Sequence, residues 1–141
     1  MKKNNFLIGV HAVILNEKRE LLVIQRSETN DFMPLKWDLP GGTVNFEEEV
    51  KKALVREIGE ELSVDAEVGN PIDVYDCFEN GVHCVQILFS CNLLKNCEIS
   101  LNNDEHAQYM WTDFSKLKCL DKIGFLANLC EKGLLENIIK K

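Results

Sequence analysis

The segment GGTVNFEEEVKKALVREIGEELSV, residues 41–64, decides the fold because two glycines lead into a strongly patterned helix. Apolar residues recur at every fourth position and predict one buried helical face. They are Val50, Leu54, Ile58 and Leu62. We place this helix between about Phe46 and Leu62. Gly41 and Gly42 allow unusual backbone angles and a close approach of the chain to an ion or ligand.

Three acidic residues of this helix share one side. At about 100° per residue, Glu57, Glu60 and Glu61 fall within an arc of about 100°. Like charges at this spacing repel by a few tenths of a kcal/mol per pair. One interpretation is a solvated acidic face, which many surface helices have. The other is a site for Mg²⁺ or Mn²⁺, which prefer oxygen ligands. Arg56 can hold a carboxylate bidentately in either case.

Length and charge limit the class of protein. The 141 residues suit one domain, residues 1–141, and the hydrophobic fraction of 45% is enough for a core. The formal net charge of −7 argues against an extended nucleic-acid-binding surface. An acidic protein can still bind polyphosphates when a divalent cation lies between the two.

The cysteines and the first residues indicate the compartment. There are six cysteines and no CxxC pair, and we expect free thiols in a reducing cytoplasm. Cys77, Cys84 and Cys91 recur every seven residues, a spacing that we attribute to chance in apolar strands. The first residues superficially resemble a signal peptide, but His11 interrupts the apolar run and no cleavage site follows. We expect no membrane span.

The rest of the chain reads as strands, with a second helix at the end. Asn80-Gly81 is a strong hairpin signal, and Pro71 interrupts the strand before it. Predicted strands lie at 6–15, 21–25, 65–77, 82–94 and 107–114, a loop at 26–36, and the last helix at 122–139. This order favours an α/β fold with a mixed sheet packed between helices.

The segment from Gly42 to Val64 resembles the Nudix box, the signature of MutT-like hydrolases of nucleoside diphosphates linked to another group. The matching positions are Gly42, Glu48, Arg56, Glu57, Ile58, Glu60, Glu61 and Val64. Ser63 stands where the family has glycine, a residue expected to end the helix in a left-handed conformation. LPGG before the box and EHAQYMWTDF late in the chain extend the resemblance over most of the sequence.

The resemblance implies a Nudix α/β/α sandwich and a set of catalytic residues. Glu57, Glu60, Glu61 and the carbonyl of Gly42 would bind Mg²⁺ or Mn²⁺. Glu48 and Arg56 would orient and support these acids. The ions would bind phosphate oxygens and activate a water.

The base that takes the proton of this water differs between family members. Some use a glutamate of the box and others a residue on a later loop. Glu105 lies on such a loop and is our candidate for an extra ligand or the base. A solvent-exposed acid is the alternative.

Other candidates are less specific. Arg26 resembles the basic residue that many Nudix enzymes place near substrate phosphates, and a surface arginine is the alternative. Trp37 and Phe32 could stack on a base, although a core or lid role is the stronger interpretation. For His11 we favour a hydrogen-bonded core histidine.

The resemblance implies Mg²⁺-dependent hydrolysis. The expected substrate is a nucleoside triphosphate, including oxidised or otherwise modified ones, giving the monophosphate and pyrophosphate. One alternative is a hydrolase of ADP-ribose, a dinucleotide, a nucleotide sugar or a 5′-capped RNA end. Another is a Nudix-fold nucleotide-binding module without catalysis. Many family members are dimers, so a homodimer is a further expectation.

Overall fold

The computed structural model describes residues 5–94 and 98–140. Cys97, for which the sequence predicts a free thiol, lies outside these residues. The other five cysteines are free thiols. In chain order the elements are β1 (Asn5–Ile14), β2 (Leu21–Arg26), β3 (Trp37–Asp38), β4 (Gly41–Thr43), α1 (Val50–Leu62), β5 (Ala66–Glu79), β6 (Val82–Leu93), β7 (His106–Thr112), α2 (Phe114–Cys119), α3 (Gly124–Glu131) and α4 (Leu134–Lys140).

The strands form two sheets with a helical layer on each side. The larger sheet has the order β4-β1-β6-β5, in which β1 and β6 are parallel and the other pairs antiparallel. The smaller sheet, β3-β2-β7, is antiparallel. In one core cluster, α1 packs against one face of β1, β2 and β6. In a second cluster, α3 and α4 pack against the opposite face of the same strands. The predicted mixed sheet between helices is confirmed.

The hairpin signal is confirmed, and it fixes the register of the longest strands. Asn80 and Gly81 both have positive φ, 49° and 76°, as a two-residue turn of type I′ requires. The strand before the turn extends past Pro71 rather than stopping there. The register of β5 against β6 shifts on each side of this proline, because a proline cannot donate a ladder hydrogen bond.

Helix α1 begins later than predicted, at Val50 and not near Phe46. Glu47 has a φ of 63°, which interrupts helical geometry, and Phe46 is 93% exposed. At the other end Ser63 takes the left-handed conformation, with φ 57° and ψ 34°, and its N–H donates to the carbonyl of Gly59 at 3.0 Å. Ser63 therefore performs the turn for which the family uses glycine.

The last part of the chain also differs from the prediction. The expected single helix is two helices, α3 and α4, separated at Gly133, whose φ is 74°. A glycine at this angle ends a helix with little strain. In the described ranges, 5–94 and 98–140, no helix is both long and apolar enough to cross a membrane.

Candidate active site

A cleft of about 650 Å³ lies between the larger sheet and the loops that follow β2 and precede β7. Helix α1 contributes Glu57 and Glu61 to its lining, and the β7 side contributes Glu105 and His106. The sheet provides the floor, which includes Gly9, His11, Cys77, Cys84 and Gln86. The lining thus combines acidic groups from α1 and the β7 side with a mixed apolar and polar floor.

Arg56 donates hydrogen bonds to three glutamates of the box. Its Nε and one Nη donate to the two oxygens of Glu48 at 2.8 and 2.9 Å, the bidentate geometry that the sequence suggested. The other Nη donates to Glu57 at 2.9 Å and to Glu60 at 3.3 Å. The hydrogen bonds from Arg56 lower the pKa of Glu48 to about 2. Glu48 is therefore ionised near neutral pH and holds Arg56 in place.

Glu61 is buried, with 3% of its surface exposed. Its Oε1 accepts from the N–H of Gly41 at 2.8 Å, and its Oε2 lies 3.3 Å from Nε2 of His106. Burial raises the pKa of Glu61 well above its ordinary value, and the nearby charges of Asp38, Glu57 and Glu105 act in the same direction. The two contacts hold the carboxyl group in one orientation. Burial makes its ionised form less favourable than it is in water.

His106 completes this part of the site. Its ring is 5% exposed, and burial lowers its pKa, which favours the neutral imidazole. Its Nε2 faces Oε2 of Glu61 at 3.3 Å. Its Nδ1 is buried and has no hydrogen-bond partner among the residues that the structure describes. One oxygen each of Glu61 and Glu105 and one nitrogen of His106 lie within 4.8 Å of one another.

Glu57 lies against the glycine that opens the box. A Cβ atom on Gly42 would lie 2.4 Å from Oε2 of Glu57, so only glycine leaves room for this carboxylate. Burial raises the pKa of Glu57, Arg56 opposes this, and Glu60 and Glu105 add to it. The side chain of Glu60 is 57% exposed, and Glu60 is not part of the cleft lining. The structure brings together Glu57, Glu61 and Glu105 and leaves Glu60 at the rim.

This donor set fits a divalent cation with a preference for oxygen. Carboxylates that are brought together and buried resist ionisation unless a positive charge compensates them. Glu57 and Glu61 show this effect in their raised pKa values. Mg²⁺ and Mn²⁺ take carboxylate oxygens and keep sites for water and phosphate.

The candidates for substrate binding have different surroundings. Arg26 lines the cleft and donates to Asp38, Asn30 and the carbonyl of Phe32 at 3.2, 3.0 and 2.8 Å. Its guanidinium also lies 5.6 Å from the centroid of the Phe32 ring. Arg26 thus fixes the loop that carries Phe32, and both residues face the cleft.

Trp37 does not face the cleft. It is 8% exposed and packs in the second core cluster with residues such as Leu117 and Leu126. Its backbone pairs with Asp121 and Ile123. The indole is enclosed, and its contacts support the core role that the sequence analysis favoured over stacking.

His11 meets the expectation of a hydrogen-bonded buried histidine and also lines the cleft. It donates from Nδ1 to the carbonyl of Leu39 at 3.3 Å, and Nε2 lies 2.9 Å from the carboxamide of Gln86. Gly9 provides the space for this carboxamide, since a Cβ there would lie 2.0 Å from Gln86 Oε1. The sequence did not indicate that Gln86 lies on the floor of the cleft.

The sequence analysis also did not assign two buried polar residues to the site. Asp38 is 3% exposed and pairs with Arg26, and His106 pairs with Glu61. The available signals were positional: Asp38 directly precedes LPGG, and His106 directly follows Glu105. Neither position indicates which residue the side chain contacts, because Asp38–Arg26 and His106–Glu61 each join separate elements.

Curated proteins resemble parts of this chain. A Bacillus subtilis protein named "Putative 8-oxo-dGTP diphosphatase" is 40% identical over 67 residues, which are 48% of this chain and 42% of that protein. The Escherichia coli CTP pyrophosphohydrolase is 40% identical over 63 residues, 45% of this chain and 46% of that protein. The chain thus matches less than half the length of either relative.

The fold is shared with solved structures. The crystal structure of a MutT protein from Methanosarcina mazei superposes with a TM-score of 0.80 at 26% identity, covering 99% of this chain and 97% of that one. The family model for the NUDIX domain matches residues 5–129. The geometry of the box agrees with this match, since Arg56 pairs with Glu48 and Glu57, and Glu57 and Glu61 line the cleft. The chain belongs to the NUDIX domain family.

Proposed function

We propose that this protein is a Mg²⁺-dependent pyrophosphohydrolase that converts a nucleoside triphosphate, including oxidised or otherwise modified ones, to the monophosphate and pyrophosphate. The observation that carries this proposal is that Glu57, Glu61 and Glu105 line one cleft of about 650 Å³, with Glu57 and Glu105 near enough to Glu61 for their charges to raise its pKa. Three relatives support the substrate class. They are named as acting on 8-oxo-dGTP, on CTP and on dihydroneopterin triphosphate.

Glu57, Glu61 and the carbonyl of Gly42 would hold the divalent cation, with Glu60 completing the set from the rim. A cation there supplies positive charge to the phosphates and makes a coordinated water more acidic. Arg56 positions Glu57 at 2.9 Å and is itself held by Glu48. Gly41 and His106 fix the two oxygens of Glu61. These contacts place the acids before substrate arrives, so little reorganisation is needed during the reaction.

Glu105 is our candidate for the base. It lines the cleft within 4.8 Å of the Glu61 and His106 donor atoms, and its own side chain is more exposed than that of Glu61. An accessible carboxylate can take a proton from the attacking water. The water oxygen then bonds to phosphorus, the bond between the α- and β-phosphoryl groups breaks, and pyrophosphate and the monophosphate leave.

The rest of the cleft would receive the nucleoside. Phe32 offers a ring for stacking, 46% exposed at the cleft, and Gln86 and His11 offer polar groups on the floor. Arg26 is engaged by Asp38 and the loop, so we assign it the role of fixing Phe32 as well as that of facing phosphate. A cytoplasmic location and a homodimer stay predictions from the sequence.

A panel of substrates tests the proposal. Standard and oxidised nucleoside triphosphates, ADP-ribose, dinucleotides, nucleotide sugars and a capped 5′ end would be incubated with the protein and Mg²⁺. Pyrophosphate, orthophosphate and monophosphate would be measured separately. We expect pyrophosphate and monophosphate in equal amounts from one triphosphate, and no product with EDTA. Glu57→Gln should lower kcat by orders of magnitude, whereas Glu67→Gln, an exposed acid on β5, should leave it unchanged.

Two outcomes would contradict this proposal in different ways. Turnover of linked diphosphates alone would exclude the triphosphate and keep the hydrolase. No turnover of any substrate by protein with the circular dichroism of a folded chain would exclude hydrolysis, and nucleotide binding under those conditions would indicate a binding module. Hydrolysis in ¹⁸O-labelled water identifies the attacked phosphorus, because the label enters only the product that carries that atom.

A further inference from the structure

Two of the free cysteines lie directly opposite each other in the wall of the cleft. Cys77 on β5 and Cys84 on β6 are partners in the antiparallel ladder. The two-residue turn at Asn80-Gly81 sets this register, because positive φ at both residues closes the hairpin between Glu79 and Val82. The seven-residue spacing that we attributed to chance is thus the spacing that places two thiols face to face.

Both side chains point to the cleft. Residues 77, 79, 82, 84 and 86 all line it, as alternation along two paired strands requires. Phe78 and His83 stack on the opposite face, with ring centroids 4.4 Å apart. The amide of Gln86 donates to the Sγ of Cys84 at 2.9 Å, which keeps this sulfur on the floor. Cys91, the third in the series, is buried in the core on the other side of β6.

The backbone geometry suits a covalent bond between the two sulfurs. Directly opposite residues in antiparallel strands have Cα atoms roughly 4.5–5.5 Å apart. Disulfides span Cα separations of roughly 4.4–6.8 Å. Both cysteines are partly accessible, and they lie beside a cleft that admits small molecules. No large movement of the strands is therefore required.

We propose that Cys77 and Cys84 form an oxidation site in the wall of the cleft, at which a hydroperoxide converts the two thiols to an intrachain disulfide. One sulfur, as thiolate, attacks the peroxide, the O–O bond breaks, and the departing oxygen takes a proton to leave as water or an alcohol. The other sulfur attacks the resulting sulfenic acid, the S–S bond forms and water leaves. The two sulfurs lose two electrons in total, and the peroxide gains them.

Mass spectrometry of the folded protein tests the proposal. Protein treated with hydrogen peroxide would be alkylated and compared with untreated protein. We expect two fewer alkylated thiols out of six and full recovery after dithiothreitol. Cleavage after Glu79 and Lys95 separates fragment 68–79, which contains Cys77, from fragment 80–95, which contains Cys84 and Cys91. The two fragments should remain linked, and fragmentation should place the bond at Cys84.

Variants with matched chemistry separate this site from general oxidation. Cys84→Ser should abolish the link, and Cys119→Ser, which removes an exposed cysteine on α2, should leave it intact. Oxidation of Cys119 in wild-type protein without a Cys77–Cys84 bond would overturn the proposal, as would a bond from Cys77 to Cys91. These readouts do not depend on the proposed function.

The effect on the cleft can be measured if the protein turns over nucleotides as proposed. The disulfide would alter the floor and not the acids, so peroxide should raise KM with a smaller change in kcat. Cys84→Ser should not show this response. An unchanged KM in fully cross-linked protein would overturn the placement of the bond in the substrate-binding part of the cleft, while the mass data would still decide whether the bond forms.

Discussion

Replacing Glu61 by glutamine should change how stability depends on pH in the metal-free protein. Burial raises the pKa of Glu61 above its ordinary value of 4.5. Below pH 4.5 this carboxyl is protonated in both the folded and the unfolded chain. Above pH 4.5 the unfolded chain loses the proton first, so the free energy of unfolding falls until the pH reaches the pKa of the folded state. Glutamine does not titrate, and the Glu61→Gln variant should not show this loss.

The size of the effect follows from the exchange of one proton. The free energy of unfolding of the wild type should fall relative to that of the variant by up to about 1.4 kcal/mol per pH unit. Glu57 is also shifted and is present in both proteins, so the difference reports Glu61 together with its electrostatic coupling to Glu57. Urea unfolding in EDTA at several pH values from 5 to 8 measures this difference. Glu67→Gln, an exposed acid outside the cleft, should follow the wild type.

Added Mg²⁺ should reverse the comparison. At 100 times its Kd, an ion that binds only the folded state stabilises it by about 2.7 kcal/mol. If glutamine weakens the site tenfold, the same concentration stabilises the variant by only about 1.4 kcal/mol. Parallel pH profiles of the two proteins in EDTA, together with equal stabilisation by Mg²⁺, would refute the reasoning that Glu61 is a buried ligand whose ionisation opposes folding.

Three further substitutions address the box and its helix. Ser63→Gly should stabilise the fold by about 0.5–1 kcal/mol in urea unfolding, because glycine adopts the left-handed conformation without a Cβ clash, and Ser63→Ala, which keeps the Cβ, should give no such gain. Arg56→Lys should lower kcat/KM about 10- to 100-fold in steady-state assays, because lysine cannot hold Glu48 bidentately while it contacts Glu57, and equal activity to that of Lys52→Ala would contradict this role. Leu54→Ala should cost about 2–5 kcal/mol of unfolding free energy because its side chain is fully buried, whereas Phe46→Ala, at a position 93% exposed, should cost less than about 0.5 kcal/mol.

Patterns of neighbouring residues predicted the local structure well. The stripe of α1 is buried at Leu54, Ile58 and Leu62, and Asn80-Gly81 closes the hairpin. Both signals are local, since helical periodicity and turn chemistry depend on residues a few positions apart. The bounds were less certain, because the φ of Glu47 and of Gly133 decides where α1 begins and where the last helix divides.

Contacts between distant segments could not be read from the sequence. The pairs Glu61–His106 and Arg26–Asp38 each need the packing of two elements before either side chain meets its partner. For Trp37 the sequence left stacking and a core role open for the same reason, since an aromatic residue near the box looks alike whether the fold encloses it or exposes it. The resemblance to the Nudix box identified the acids as candidates. The structure identified the groups that contact them, such as Gly41 and His106 at Glu61.

The hydrogen bond from Gly41 to Glu61 joins β4 to the end of α1, and His106 joins the same carboxylate to β7. No single element carries the site, so any opening that detaches β4 or β7 dismantles it. Bound cation should therefore slow amide hydrogen exchange in all three elements by the same factor, since each partial opening releases the ion. Helix α4, whose residues pack in the second core cluster, should show a smaller change. Exchange rates measured with and without Mg²⁺ would thus map the unit of the fold that the metal holds closed.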